Sequence, residues 1–268
     1  MPDFLSIQDH SEAEVKALLE LALELKQAHF SGGNEPILKD KILGMIFQKP
    51  SLRTRVSFEV GMRHLGGQAI YLSPYDIGLG HRESVSDVAR VLSGYVDGIM
   101  ARVFAKVHLD QLAQYSSVPI INGLSDSNHP CQALADMLTI MERRTNLEGL
   151  KLAFVGDGNN VANSLMHICA LLGLTFAIAA PKGFELDRQV VSRGRELADK
   201  HGGDILETRD PVEAVSEADV VYTDVWTSMG QDAEEELRKK VFPPYQINED
   251  LLTKAKPDVL VMHDLPAH

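Results

Sequence analysis

Cysteine is scarce in this sequence, and so are the patterns that would use it. The two cysteines among 268 residues, Cys131 and Cys169, both lie in helical patterns and form no Cys-x-x-Cys pair. A disulfide framework needs an even, regularly spaced set of cysteines, and a structural zinc site needs cysteine or histidine ligands at short fixed spacing. The scarcity therefore favours a reduced, cytoplasmic compartment and predicts no metal site.

Positively charged residues are also fewer than negatively charged ones, and long apolar runs are lacking. The sequence has 26 Lys and Arg against 38 Asp and Glu, a formal net charge of −12. That balance argues against a nucleic acid or an anionic membrane surface as the main partner, although a few concentrated cations could still bind a small anion. Polar and acidic residues within 1–14 argue against a signal peptide, and no apolar run reaches the length of a membrane span.

Short apolar runs alternate with amphipathic helical patterns along the whole sequence. This alternation is typical of parallel sheets covered by helices on both faces, and the length suits two domains. We predict an α/β protein with two such domains, residues 1–130 and 150–268, joined by a long connector helix within 131–149. Strands are predicted at 42–47, 69–72, 98–103, 118–122, 150–155, 175–180, 204–207, 219–223 and 258–262. Helices are predicted at 11–30, 51–65, 84–95, 108–116, 130–145, 160–173, 187–200, 211–217 and 248–254, with loops at 73–83 and 224–245.

The segment from Lys49 to Arg55 lies where a buried strand gives way to a helix. The first helical N–H groups lack partners and lie at the positive end of the helix dipole, so this position favours an anion. Ser51 and Thr54 add hydroxyl donors, while Arg53 and Arg55 add guanidinium groups that suit phosphate oxygens. A capped helix whose arginines form a solvated face fits the spacing equally well.

Three further residues are predicted to face the same crevice. Arg102 ends a predicted strand, and His129 and Gln132 begin the connector helix. Strand carboxyl ends and helix N-termini share one edge of an open parallel sheet, where ligands bind. Each residue alone has a structural explanation, because a histidine at a helix start is commonly a cap and a strand-end arginine is often structural. Their convergence on the turn at 49–55 favours an anion site.

A glycine-containing turn at 156–161 follows another predicted strand and opens a helix. In a dinucleotide-binding fingerprint a third glycine would stand at Val161, and an acidic residue would end the next strand. That strand ends in Ala180-Pro181-Lys182 instead, which argues against a nicotinamide cofactor. We interpret the glycines as a tight turn that brings Asn160 to the crevice.

Asp224 follows a third predicted strand and precedes the polar segment 226–230, which contains a glycine. A strand-end carboxylate is often only a solvated loop residue. A long polar loop with a glycine is also typical of a lid that closes over a ligand. The residues by themselves leave both interpretations open.

Five motifs occur together in the order found in one family. SLRTR (51–55), MARV (100–103), HPCQ (129–132), DVWTSMGQ (224–231) and HDLP (263–266) resemble the aspartate/ornithine carbamoyltransferase family, over nearly the whole chain. Ser-x-Arg-Thr-Arg followed by His-Pro-x-Gln is a specific combination, whereas either motif alone is weak.

The resemblance implies a carbamoyl-phosphate site in the first domain and an amino-acid site in the second. Asp224 is expected to pair with the α-ammonium group of ornithine, and Arg55 to support the first site from within. Aspartate as acceptor would need cations here, and none stand in this segment. The residues implied as catalytic are Arg102, His129, Asp224 and Asp264. Those implied as substrate-binding are Ser51, Leu52, Arg53, Thr54, Gln132, Asn160, Ser228, Met229 and Leu265.

The implied reaction is acyl transfer without a covalent enzyme intermediate. The neutral δ-amine of ornithine attacks the carbamoyl carbon, a tetrahedral oxyanion is stabilised by Arg102, His129 and the Thr54 hydroxyl, and phosphate leaves. No metal or redox cofactor is implied. The resemblance also implies a homotrimer in which the loop near Ser73–Ser84 reaches an adjacent active site.

Three departures from the family pattern bear on activity. Asp264 stands where the ornithine branch usually has a cysteine that helps to place the reacting amine, and two close carboxylates tend to raise one pKa. We therefore expect reduced turnover or an altered acceptor. The chain ends at His268, some tens of residues before the usual end of the family, so a C-terminally truncated second domain without one carbamoyl-phosphate-binding arginine is expected. Gln48 stands where the family usually has a glutamate.

Three hypotheses about function remain open on these residues. The first is an active carbamoyltransferase that uses ornithine. The second is a related enzyme acting on another amine, such as putrescine or a modified ornithine. The third is a catalytically inactive scaffold or binding protein with the same fold, which could bind carbamoyl phosphate or phosphate without turnover.

Overall fold

A computed structural model describes residues 2–144, 146–227 and 232–267 of the chain. The chain divides into two compact units, Met1–Cys131 and Gln132–His268. Each unit is built around its own parallel sheet. The predicted fold class is therefore confirmed, while the predicted domain limits at 130 and 150 stay predictions.

The first unit contains a four-stranded parallel sheet in the order β2-β1-β3-β4. Its strands are β1 (Ile42–Phe47), β2 (Gln68–Leu72), β3 (Gly98–Arg102) and β4 (Ile120–Leu124). Its helices are α1 (Glu12–Phe30), α2 (Leu52–His64), α3 (Pro74–Ile77), α4 (Val85–Ser93) and α5 (Lys106–Tyr115). A short 3-10 helix, Ile7–Asp9, precedes them.

Side chains of β1 alternate between two hydrophobic clusters, as the two-residue period of a strand requires. Ile46 belongs to the cluster that includes the buried residues of α4 and α5. Met45 and Phe47 belong to the other cluster, against which Phe58 and Met62 of α2 pack. Helices therefore cover both faces of this sheet, which is why β1 is apolar throughout.

The second unit contains a five-stranded parallel sheet in the order β7-β6-β5-β8-β9. Helix α6 (Pro130–Arg143) begins two residues before the unit boundary. The strands are β5 (Lys151–Val155), β6 (Thr175–Ala179), β7 (Asp204–Thr208), β8 (Val220–Thr223) and β9 (Leu260–His263). The other helices are α7 (Asn160–Leu171), α8 (Arg188–His201), α9 (Pro211–Val215), α10 (Glu235–Val241) and α11 (Glu249–Leu252).

Helix α7 is buried along its whole length after its first residue, from Val161 to Leu171. A helix that is buried all round needs an apolar sequence all round, and the run NVANSLMHICAL supplies mostly small and apolar residues. The Asn159 side chain caps its N-terminus by accepting from the N–H groups of Val161 and Ala162 at 3.0 Å each. The buried helix fixes the position of the turn that precedes it.

Two predicted loops contain helices that the hydrophobic pattern did not reveal. The loop predicted over 73–83 is wrong at 74–77, where α3 begins at a proline and Ser73 with Asp76 forms a capping box. The loop predicted over 224–245 is wrong at 235–241, where α10 forms. This helix has few apolar residues. It is supported instead by charge pairs four residues apart, such as Lys239 with Glu235 at 2.7 Å.

None of the helices in the described part of the chain combines the length and apolar content that a bilayer crossing would need.

Candidate active site

The strand order of the first sheet reverses at β1, while all its strands stay parallel. β2 lies on one side of β1 and β3 on the other, so the crevice of this sheet opens between the loops that follow β1 and β3. Phe47 and Arg102 are register partners at the carboxyl ends of these two strands. The turn at 49–55 and Arg102 therefore meet at the position where open parallel sheets bind ligands.

The turn before α2 is held by a small hydroxyl network. Ser51 caps the helix and accepts from the Thr54 N–H at 3.3 Å, while its own hydroxyl donates to the Thr54 oxygen at 3.1 Å. Arg102 Nη1 donates to the same Thr54 oxygen at 3.1 Å. Leu52 is the first helical residue and is 79% exposed, so its backbone N–H lies in the open first turn.

His129 lies close to two of the predicted arginines. Burial, followed by the positive charges of Arg102 and Arg53, lowers the pKa of His129 to about 3. The imidazole is therefore neutral at physiological pH and can donate one hydrogen bond without adding charge. The structure thus brings together five of the residues predicted for this site: Ser51, Arg53, Thr54, Arg102 and His129.

Cations are concentrated at this edge of an otherwise acidic chain. Burial and the nearby Arg102 guanidinium lower the pKa of Lys49, whose ammonium lies 4.5 Å from the centre of the Phe104 ring. The repulsion between Lys49 and Arg102 would be relieved by an anion bound beside them. The arrangement therefore suits a phosphate group better than a solvated helix face.

Arg55, at the end of this turn, and Gln48, just before it, make contacts of their own with neighbouring residues. Arg55 pairs with Glu59 at 2.7 Å and lies 4.0 Å from the centre of the Tyr71 ring, so its guanidinium already has partners. Gln48 donates to the Leu79 carbonyl at 3.1 Å and accepts from the Phe104 N–H at 3.0 Å. A glutamate at position 48 could not make the first of these bonds while ionised.

In the second unit the strand order reverses at β5, between its neighbours β6 and β8. β6 lies on one side of β5 and β8 on the other, so the loops after β5 and β8 share one edge. Asn159, in the first loop, donates to Asp224, in the second, at 2.7 Å. The Val225 N–H donates to the other carboxylate oxygen at 2.7 Å. Asp224 is therefore a positioned, buried carboxylate and not a solvated loop residue.

Asp264 directly follows β9 and lies at the same edge of the sheet. Thr223 and His263 are register partners, and the Asp264 N–H donates to the Thr223 carbonyl at 3.3 Å, so the two aspartates follow paired residues of adjacent strands. Burial, followed by the charge of Asp264, raises the pKa of Asp224 to about 7. The expectation that these two carboxylates raise a pKa is confirmed. Leu265 is 54% exposed and is followed by a cis peptide bond to Pro266.

Sequence reasoning missed three residues of this second site. Asn159, in the turn before α7, donates to Asp224 and was not among the predicted residues, and Asp136 and Tyr222 are the other two. Asp136 accepts from Gln132 at 3.0 Å and from the Tyr222 hydroxyl at 2.9 Å. The four-residue spacing from Gln132 to Asp136 on a helix was the signal that could have revealed the pair.

Ser228 and Met229, which the resemblance placed in the amino-acid site, lie outside the described residues, as does the glycine of the predicted lid. The same holds for Gln231.

A buried arginine joins the loop after β8 to the turn after β5. Arg238 is 3% exposed and donates to Asp157 at 2.6 Å and to the Trp226 carbonyl at 2.8 Å. Asp157 lies in the turn that carries Asn159, and the neighbouring Gly158 has no room for a Cβ, which would lie 2.5 Å from the Leu186 backbone nitrogen. Arg238 therefore holds both loops of the second site, one through an ion pair with Asp157 and the other through a hydrogen bond to the Trp226 carbonyl.

Replacing Arg238 by methionine is expected to lower the free energy of unfolding by about 3 kcal/mol, because Asp157 would remain buried without its cation. Methionine keeps an unbranched apolar stem but removes the guanidinium group, which lies 4.6 Å from the centre of the Phe184 ring. Urea denaturation followed by the fluorescence of Trp226, the single tryptophan, measures the change. Arg195→Met is the matched control: its ion pair with Glu207 is exposed, and a loss below about 1 kcal/mol is expected. Equal losses of stability in the two variants would contradict a special stabilising role for the buried Arg238–Asp157 ion pair.

Two open parallel sheets, one with a cation-rich turn and one with paired carboxylates at its edge, define a two-domain α/β enzyme for small ionic substrates. Residues 2–142 match the family described as aspartate/ornithine carbamoyltransferase, carbamoyl-P binding domain, and residues 148–268 match its Asp/Orn binding domain. The chain belongs to the aspartate/ornithine carbamoyltransferase family, and the resemblance drawn from five motifs is confirmed.

Individual relatives agree with this placement. Ornithine carbamoyltransferases from Anoxybacillus flavithermus and Bacillus subtilis are each 52% identical to the chain over 266 residues, which is 99% of the chain and 85% and 82% of those proteins. The solved ornithine carbamoyltransferase of Pyrococcus furiosus is 51% identical, with a TM-score of 0.97 over 100% of this chain and 85% of that one. The anabolic enzyme of Campylobacter jejuni is 39% identical, with a TM-score of 0.95.

Proposed function

We propose that the chain transfers the carbamoyl group of carbamoyl phosphate to the δ-amine of ornithine, giving citrulline and phosphate. One observation supports this most strongly: Thr54, Arg102 and His129 converge with the helix-capping turn at Ser51 on one anion-suited edge. The relatives that match nearly the whole chain carry the name ornithine carbamoyltransferase. The paired carboxylates of the second unit supply the negative charge that an amino-acid ammonium group needs.

The first unit would stabilise the donor and the charge that develops on it. The N–H groups of the first turn of α2, with Ser51, Arg53 and Thr54, would bind the phosphate oxygens. Arg102 and neutral His129 would donate to the carbamoyl oxygen as it becomes an oxyanion. Such donors are positioned before the reaction begins, and removing one commonly costs about 3–4 kcal/mol of transition-state stabilisation.

The acceptor must lose a proton before it attacks. Ornithine arrives with a δ-ammonium group, and only its neutral form has the lone pair that bonds to the carbamoyl carbon. Asp224 would pair with the α-ammonium group, which leaves Asp264 nearest to the reacting amine. The C–N bond forms first and gives the tetrahedral oxyanion. The C–O bond to phosphate then breaks, phosphate takes the electron pair, and the extra proton of the attacking nitrogen passes to the departing phosphate.

A product assay with a panel of amines tests the proposal. Carbamoyl phosphate is supplied with ornithine, putrescine, lysine or aspartate, and the carbamoylated products are separated and quantified. Citrulline is expected to form with the highest kcat/KM. A different preferred amine would favour the second hypothesis, for which Asp264 is the supporting observation, and no product with any amine would favour an inactive scaffold.

Replacing Asp264 by cysteine is expected to raise kcat for ornithine by about tenfold. The reason is that the charge of Asp264 holds the δ-ammonium protonated. Burial, followed by the same charge, raises the pKa of Asp224 to about 7. Initial rates of citrulline formation measure the change, with Asp264→Asn as the control that removes charge without adding a thiol. Unchanged or lower kcat in Asp264→Cys would show that the carboxylate does not limit turnover.

The kcat/KM for ornithine is expected to fall as pH drops through about 7. Protonation of Asp224, whose pKa is raised to about 7, removes the charge that pairs with the ammonium group. Asp136 has a pKa raised to the same region, whereas His129 stays neutral because its pKa is lowered to about 3. A profile from pH 5.5 to 9 should therefore become less steep in Asp224→Asn. An acid limb that is identical in this variant would exclude Asp224 as its cause.

A homotrimer and a cytoplasmic location complete the proposal. Tyr75 lies in the segment Ser73–Ser84 and is 94% exposed, as a residue that contacts another subunit would be in an isolated chain. Sedimentation velocity of the purified protein is expected to give a trimer of the 29.5 kDa chain. A monomer that turns over at full rate would remove the need for a neighbouring subunit.

A further inference from the structure

A buried carboxylate joins Gln132 to strand β8. Asp136 is 5% exposed and lies one helical turn after Gln132 on α6. One of its oxygens accepts the Gln132 amide N–H at 3.0 Å, and the other accepts the Tyr222 hydroxyl at 2.9 Å. Tyr222 is fully buried and stacks on Phe154, with ring centres 5.7 Å apart, so its hydroxyl position is fixed.

The chemistry of the carboxylate decides which way the Gln132 amide points. An ionised carboxylate only accepts hydrogen bonds, so the amide nitrogen of Gln132 must face Asp136. The carbonyl oxygen then lies on the other side of the planar amide, where it can only accept. An amide without this partner could turn over and offer either a donor or an acceptor to a ligand.

The charge state of Asp136 responds to several groups. Burial raises its pKa to about 7, the hydrogen bonds from Gln132 and Tyr222 lower it, and the charges of Asp264 and Asp224 raise it. Above pH 7 the carboxylate form dominates and the orientation of the amide is fixed. Binding measured at pH 8 is therefore binding to protein in which Asp136 is ionised and the Gln132 amide has this fixed orientation.

We infer that Asp136 is a positioning residue that makes Gln132 an obligate hydrogen-bond acceptor, so that Gln132 selects an acyl phosphate carrying an –NH2 group. The inference rests on the proposed function, because it takes Gln132 to contact the carbamoyl end of the donor. Asp136 would then be required for selection against acyl phosphates that carry a methyl group in place of –NH2. An acceptor facing a methyl group loses a hydrogen bond that water would have supplied.

Calorimetric titration with carbamoyl phosphate and with acetyl phosphate at pH 8 tests the inference. The two ligands share the phosphate group, so their ratio of Kd values isolates the –NH2 group. Asp136→Leu is expected to reduce the preference for carbamoyl phosphate by about tenfold, the value of one hydrogen bond. Asp136→Asn keeps one acceptor oxygen for the Gln132 amide and is expected to retain most of the preference.

A double-mutant cycle separates positioning from a general structural effect. Gln132→Ala should lose the preference, and adding Asp136→Leu should change the ratio by less than about twofold, because Asp136 acts through Gln132. An unchanged ratio in Gln132→Ala, or in a folded Asp136→Leu protein, would overturn the inference. A further loss in the double variant would also overturn it. If neither phosphate binds the unaltered protein, the proposed function fails and the inference fails with it.

Discussion

Replacing Arg102 by alanine is expected to lower kcat/KM for carbamoyl phosphate by about 10²- to 10³-fold without unfolding the chain. Arg102 is 8% exposed and its donation to Thr54 at 3.1 Å joins the end of β3 to the turn before α2. Alanine removes the donor that we propose for the developing oxyanion, together with the hydrogen bond to Thr54. Initial rates at varied carbamoyl phosphate measure the effect, and Arg53→Ala is expected to act in the same direction.

Arg55→Ala is the matched control for Arg102→Ala. It removes an arginine from the same cation-rich segment, but that guanidinium is already paired with Glu59 at 2.7 Å. A change within about threefold is expected, since an exposed pair contributes little. Near-normal kcat/KM in Arg102→Ala, or an equal loss in Arg55→Ala, would contradict an anion site organised by Arg102.

Replacing Asp224 by asparagine is expected to lower kcat/KM for ornithine by about 10²-fold, mostly through KM. The change keeps the shape and one acceptor oxygen but removes the negative charge that we propose pairs with the ammonium group. Breaking one side of a buried, hydrogen-bonded charge pair commonly costs about 2–5 kcal/mol, and the low end of that range applies to a substitution that keeps the shape. Steady-state rates at varied ornithine, with saturating carbamoyl phosphate, give the split between KM and kcat.

The control for Asp224→Asn is Asp250→Asn, which removes one negative charge from an exposed position of the same unit. It separates a local effect from a change in the overall field of a chain whose net charge is −12. The KM for ornithine should be unchanged in Asp250→Asn. An unchanged KM in Asp224→Asn would place the ammonium group elsewhere.

The strands and the first site were predictable because their signals are local. Apolar runs such as 42–47 match β1 residue for residue, and Ser51 caps α2 as its residue type suggests. Parallel sheets bring the carboxyl ends of their strands to one edge, and this rule alone is enough to place Arg102 with the 49–55 turn. Of the residues predicted there, Leu52 has its side chain exposed, so only its backbone is suited to binding.

The second site was less predictable because it depends on packing between distant residues. Asn159 reaches Asp224, 65 positions away, from the turn that precedes the buried helix α7. The bonds between Tyr222 and Asp136, 86 positions apart, and between Arg238 and Asp157, 81 apart, depend on chain crossings that periodicity does not encode. Helix α10 was missed because it carries charge pairs in place of an apolar stripe.

The most direct test follows the carbamoyl carbon itself. Carbamoyl phosphate labelled with ¹³C at that carbon is mixed with ornithine and the unaltered protein, and the label is followed by NMR beside the Arg102→Ala variant. The label is expected to move into the ureido carbon of citrulline, with phosphate released in equal amount, and about 10²-fold or more slowly in the variant. Label that appears only as bicarbonate, at the same rate with and without protein, would contradict carbamoyl transfer by this chain.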